Sequence, residues 1–117
     1  MAMLWNVVIV LSALTEIMAA VTLIGGPEGV ANAGAGNMWS MHYGFAALAI
    51  ASLSLWIWPR RKNADANAVA LGVLITFHTG LFISLALAGD QAVGMVLHGI
   101  LAALSMVVFA RRGDLTT

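Results

Sequence analysis

The sequence predicts an all-α fold: an integral membrane up-and-down four-helix bundle, with residues 1–117 forming a single transmembrane domain. Three observations predict it. Of the 117 residues, 62% are hydrophobic and only 9% are charged, where an ordinary soluble domain carries about 25% charged residues. A soluble chain this short leaves much of its surface in water, so lipid is the solvent that suits this composition. Four apolar segments reach the ~20 residues that a helix needs to cross a bilayer, and all five Lys and Arg residues fall in two short clusters.

The first span runs from about Leu4 to Ile24 and stops at "GGPEG", where two glycines and a proline break a helix. The linker "PEGVANAGAGN" is small, Gly- and Asn-rich, and holds no helix-length apolar run. A second span runs from about Met38 to Trp58 and is ended by Pro59. The third runs from about Ala66 to Ala88, and the fourth from about Gln91 to Ala110 after a turn at "AGDQ". A secretory signal is the competing reading of the first span, because "ANAGAG" contains A-x-A patterns. However, "MAMLWN" lacks a basic n-region and the apolar stretch is long for an h-region. The spans share no convincing internal repeat, so a transporter built on paired repeats gains no support.

Charge sets the expected orientation. Arg60, Arg61 and Lys62 follow the second span, and Arg111 and Arg112 follow the fourth. Four spans put both clusters on one side, which the positive-inside rule makes the cytoplasm, so both termini are expected there. Trp56 and Trp58 fit an inner aromatic belt and Trp39 an outer one. A formal net charge of zero gives no reason to expect nucleic acid as a partner. With no cysteine, thiolate metal ligation, disulfides and covalent c-type haem are excluded.

One ionisable residue falls in the outer half of each span. Counted from the outer ends at ~1.5 Å per residue, Glu16, His42, His78 and His98 occupy a band about 6 to 15 Å deep. Helical spacing places Ser12, Ala19 and Ala20 around Glu16, Ala46 and Ala49 around His42, and Gly94, Ala102 and Ser105 around His98. Small residues line helix contacts in membranes, so these three groups are expected in packing seams. The small stripe of the third span is Ala68, Gly72, Thr76, Gly80, Ser84 and Ala88, with His78 on the opposite side among Leu71, Leu74, Leu81 and Leu85. His78 must therefore be covered either by a second neighbouring helix or by another protein.

Ionisable residues inside a membrane are costly, and they mark functional sites by default. Three imidazoles and a carboxylate suit a transition metal, with Glu16, His42, His78 and His98 as the ligand set. His78, His98 and His42 are the candidate cofactor ligands. His78 with His98 is the natural axial pair for a b-type haem, and a nearby glycine in "HYG", "HTG" and "HG" offers clearance for haem or a chlorophyll-like macrocycle. Proton relay or a quinone head group is a third use. The plain alternative is that these side chains only hydrogen-bond neighbouring helices. No H-x3-H spacing occurs, so any metal site needs convergence through the fold. Met38, Met41 and Met95 would suit Cu(I) but read more simply as apolar filler. Glu28, Asp90 and Asn6 read as surface or interfacial groups.

Two resemblances follow from short motifs. "ALTEIMAAVTL" resembles the first helix of the small multidrug resistance transporters, but the Pro-Gly-Ala-Tyr-Ala-Trp segment of that family is absent. In layout the whole chain is similar to the small DoxX-like four-helix membrane proteins of bacteria. "LIGGPEGVA", "NMWSMHYGFAALAIASL", "ALAGD" and the basic last residues carry that resemblance. Tyr43-Gly44-Phe45 stands where many relatives have a Tyr-Gly-Gly step. This resemblance implies the fold and a bacterial inner-membrane location, and no established reaction.

Two functions from different classes are expected. The first is a non-catalytic accessory or assembly subunit of a larger membrane complex, meeting other membrane subunits or a second copy through the Gly72/Thr76/Gly80/Ser84 face. The second is a membrane protein that binds a cofactor or metal through its intramembrane His and Glu.

Overall fold

The computed structural model describes residues 1–26, 39–89 and 91–115. Among them are four α-helices and no strand: α1 (Ala2–Gly25), α2 (Trp39–Ile57), α3 (Ala64–Ala88) and α4 (Ala92–Ala110). Each of the four is long and apolar enough to cross a membrane. The four expected helices are therefore present, with ends displaced by a residue or two. The linker, Glu28, Met38 and Asp90 lie outside the described residues, as does the side chain of Trp39. The chain groups into two units, one of Met1–Ile9 with Ile57–Thr117 and the other of Val10–Trp56.

The core of the first unit is the hairpin of α3 and α4. Asn63 starts α3 as its N-cap: its side chain accepts a hydrogen bond from the Ala66 amide at 2.9 Å, satisfying a donor that the helix itself leaves open. Asp65 in the first turn adds a negative charge at the positive end of the helix dipole. α3 ends at Gly89, whose φ of 73° lies in the left-handed region and whose amide donates to the Leu85 carbonyl at 2.9 Å. That glycine cap reverses the chain into α4 within three residues. At the open end of the hairpin a 3-10 turn, Arg112–Leu115, packs on α3 and buries Leu115. A second 3-10 turn, Trp58–Arg60, leads into the start of α3. Both basic clusters thus sit at the same end of this hairpin, as the four-span reading requires. Arg61 lies over the Trp58 ring at 4.5 Å and Arg112 over the Phe109 ring at 4.3 Å.

Packing in the hairpin is large-into-small, and it reverses one sequence expectation. The buried face of α3 is Asn67, Ala70, Leu71, Leu74 and His78, whereas Thr76, Gly80, Ser84 and Ala88 of the small stripe are exposed. The reason is that α4 supplies the small residues. A Cβ on Gly99 would meet the Phe82 ring at 3.0 Å, and one on Gly94 would meet Leu85 Cδ1 at 3.3 Å. Bulky α3 side chains fill those gaps, so the leucine face turns inward and the small stripe outward. The buried stripe of α4 is His98, Leu101, Ala102, Ser105 and Val108, in agreement with its expected seam.

The first residues of α1 join this unit through a polar contact. Trp5 is buried and donates from Nε1 to Asn67 Oδ1 at 3.1 Å. Asn67 in turn donates from Nδ2 to the Arg61 carbonyl at 2.8 Å. One buried amide thus ties α1, the start of α3 and the turn before it.

In the second unit, the rest of α1 and α2 meet at Gly44. A Cβ there would lie 2.6 Å from Ile24 Cγ1 and 3.3 Å from the Ile24 amide nitrogen, so only glycine permits this approach. Gly44 belongs to a buried stripe with Ala47, Ala51 and Ser54. His42, Ala46 and Ala49 point the other way and are exposed. The seam expected around His42 is therefore not where α2 packs. α2 carries small residues on both faces, and the closest helix approach selects the one with the glycine. Along α1 the buried stripe is Trp5, Val8, Ile9, Ser12, Glu16 and Ala20, as expected around Glu16.

Candidate functional site

The two histidines of the α3–α4 hairpin meet. His78 Nδ1 and His98 Nδ1 are 2.9 Å apart, a hydrogen bond in which one ring donates and the other accepts. His78 is 0% exposed and His98 4%. The rings face each other with centroids 5.2 Å apart and planes tilted by 33°. Phe77 stands edge-on to both, at 5.4 Å from the His78 ring and 6.3 Å from the His98 ring, the arrangement that aromatic quadrupoles favour. Neither ring is free to swing out, because each lies on the packed face of its helix.

Local sequence explains the meeting. His78 continues the leucine face of α3 one turn beyond Leu74, and His98 opens the small-residue face of α4 just before Gly99. Gly99 lets the helices close until the two rings touch, with Phe82 filling the space beside it. The chain therefore covers His78 by itself, and no second protein is needed for that.

Glu16 is fully buried on α1, between Ser12 and Ala20. His42 is exposed on α2. Thr79 Oγ1 and Ser105 Oγ are buried without a hydrogen-bond partner among the described residues. Ser105 shares the inward stripe of α4 with His98. Trp5 and Asn67 escaped the sequence reading. Their signal was an amide in the first turn of an otherwise apolar helix, where burial demands a partner.

The ring geometry discriminates between ligands. An iron held axially between two imidazoles needs donor nitrogens about 4 Å apart, twice a metal–nitrogen bond of ~2.0 Å. Here the nitrogens lie 2.9 Å apart and are bonded to each other, so the pair does not fit an axial haem clamp. The clearance expected beside the histidines is also taken: Phe82 fills it at Gly99, and Ile24 with Leu23 fills it at Gly44. Gly80 alone of the three faces open space, on the outer side of α3. Two nitrogens on one tetrahedral ion need a separation of roughly 3.3 Å, only a few tenths of an ångström from what is present.

No family model, no curated protein and no solved structure matches this chain.

Proposed function

We propose that this chain is a four-span protein of a bacterial cytoplasmic membrane, with both termini in the cytoplasm, that holds a small ligand at its buried His78–His98 pair. Membrane residence is supported by four helices of spanning length and composition, and the orientation by the two basic clusters. Layout also supports kinship with the small DoxX-like membrane proteins.

The observation that carries the binding reading is the 2.9 Å contact between two buried imidazoles. As a stabilising device it is poorly chosen. An interhelical hydrogen bond inside a membrane contributes on average about 0.6 kcal/mol, and a leucine on an alanine would hold the same hairpin without burying any polar ring atom. Two imidazoles side by side, held by Phe77, do supply what apolar packing lacks: adjacent nitrogen donors in a water-poor site. The test is the wild-type protein in mild detergent, studied by native mass spectrometry and absorption spectroscopy beside His98→Ala. Bound non-protein mass or colour in the wild type that is absent from the variant supports the reading. A wild type that carries nothing and binds nothing offered to it refutes it.

A second reading has its own observation. Thr76, Gly80 and Ser84 are exposed, nothing lies within 4 Å of a Cβ built on Gly72 or Gly80, and an open trough runs along Ala68, Val69, Gly72, Val73, Thr76 and Phe77. Small-xxx-small faces of this kind let membrane helices approach closely. On this reading the chain is a non-catalytic accessory subunit, and the outer face of α3 meets another membrane subunit or a second copy. Cysteine crosslinking at Gly80 in membranes tests it: crosslinks that disappear in Gly72→Leu support it, and none at any position on the face opposes it.

A further inference from the structure

We infer that the basic end of the α3–α4 hairpin binds an anionic phospholipid, with its phosphodiester head held by Arg61 and Arg112 and one acyl chain lying in the trough along α3. This site is separate from the histidine pair and shares with the reading above only membrane residence.

Sequence and geometry repeat at that end. Trp58-Pro59-Arg60-Arg61 and Phe109-Ala110-Arg111-Arg112 share the pattern aromatic-x-Arg-Arg. In both, the second arginine lies over the aromatic ring, at 4.5 Å for Arg61 and 4.3 Å for Arg112. In both, its Nη1 donates to the carbonyl of that same aromatic residue, at 2.6 Å and 2.9 Å. A guanidinium carries five N–H donors, so each brace leaves most of a fork whose orientation is already set, and such a fork suits phosphate. The turn Arg112–Leu115 packs on α3, and the Arg61 carbonyl is bonded by Asn67 of α3, so both braced arginines are tied to that helix. Five cations meet two carboxylates at this end, Asp65 and Asp114, and Asp114 is paired with Arg111 at 2.9 Å. That excess of positive charge attracts an anionic head. Orientation in the membrane needs only the charges and does not call for two identically braced forks.

The trough supplies the other half of the site. It is open, about 540 Å³ in volume, and lined by Ala68, Val69, Gly72, Val73, Thr76 and Phe77. Thr76 brings the only hydroxyl of that lining, so the trough suits an apolar occupant. From Ala68 to Phe77 the helix rises about 14 Å, close to the ~15 Å of hydrocarbon in one leaflet, half of the ~30 Å core. Ala68 follows Arg61 by seven residues, so the trough begins just inward of the braced end. Nothing lies within 4 Å of a Cβ built on Gly72, which leaves the middle of the trough open. A lipid with its head at Arg61 can therefore lay one chain along α3 over the depth of its own leaflet. Asp65, one turn before Val69, is the carboxylate nearest the mouth in sequence, and it is outnumbered by Arg60, Arg61 and Lys62 in the turn before it.

The test is native mass spectrometry of the full chain in mild detergent, with dioleoyl phosphatidylglycerol and dioleoyl phosphatidylcholine offered at equal concentration. Phosphatidylglycerol should be retained at least about 10-fold more strongly, and equally well by His98→Ala, which separates this site from the histidine pair. One surface charge alone is worth about fivefold in affinity, so Lys62→Gln should lose about that much. Arg61→Gln and Arg112→Gln should each lose about 10-fold or more, because a fixed charge-assisted bond goes with the charge. Arg61→Lys keeps the charge without the fork and should still fall short of wild-type retention. Gly72→Leu should weaken retention of phosphatidylglycerol by filling the trough. Far-UV circular dichroism confirms that each variant keeps its helices. Equal retention of the two lipids by the wild type overturns the inference. So does a loss in Arg61→Gln no larger than in Lys62→Gln, which would leave only diffuse charge. Unchanged retention in Gly72→Leu, or crosslinks between copies at Gly72 that persist in excess phosphatidylglycerol, overturns the acyl-chain placement. A chain that stays in solution without detergent defeats membrane residence and this inference together.

Discussion

Gly44→Ala and Gly80→Ala should change stability in opposite directions, although both replace a glycine inside an apolar helix. Each substitution brings a helix-propensity gain of about 0.5–1 kcal/mol. At Gly80 nothing lies within 4 Å of the new methyl, so that gain should appear nearly whole. At Gly44 the methyl would lie 2.6 Å from Ile24 Cγ1, 3.2 Å from Leu23 Cβ and 3.3 Å from the Ile24 amide nitrogen. A rotamer change can move Cγ1, but neither Cβ nor the backbone can yield without shifting α1 against α2. Overpacking of that kind costs about 1–3 kcal/mol, which at the middle of both ranges leaves a net loss of roughly 1 kcal/mol. The assay is equilibrium unfolding in mixed micelles with increasing denaturing detergent, followed by circular dichroism. A Gly44→Ala protein as stable as the wild type would refute the close approach of α1 and α2. A destabilised Gly80→Ala protein would show that the outer face of α3 is occupied, which favours the accessory-subunit reading.

Three further outcomes are expected. Asn67→Ala should cost about 1–3 kcal/mol by leaving the Trp5 indole and the Arg61 carbonyl without their buried partner. It should also shift the emission of the tryptophans, whereas Asn6→Ala should do neither. Gly89→Ala should cost about 1–2 kcal/mol, because φ of 73° at the end of α3 is left-handed backbone that a Cβ disfavours; a neutral result in the same unfolding assay would refute the cap. A reporter fused after Thr117 should be active only in the form that works in the cytoplasm. Replacing Arg60, Arg61 and Lys62 with neutral residues should weaken that preference, and an unchanged fusion pattern would show that those charges do not set the orientation.

The helices themselves were legible in the sequence. Pro59, the glycines at 25 and 26 and the Gly89 turn bound the apolar runs, and α1 to α4 end within a residue or two of where those breakers put them. The buried stripes around Glu16 and His98 were legible as well, because small residues at helical spacing mark them. The inward faces of α2 and α3 were not. On α2 small residues occupy both faces, on α3 small and large apolar residues occupy opposite ones, and in either case both faces suit a lipid-like solvent. Periodicity then says only that a helix exists and leaves its rotation open.

Composition, length and breaker residues thus determined that this chain forms four apolar helices with its charges gathered in two clusters. They could do so because helix formation depends on near neighbours and on the solvent that the side chains suit. Tertiary structure alone decided that the leucine face of α3 turns inward, that His42 points outward, and that His78 and His98 join through their Nδ1 atoms. Those outcomes depend on how bulk on one helix fits gaps on the next, Phe82 at Gly99 and Ile24 at Gly44 above all. That fit relates residues far apart in sequence, and no single helix carries it.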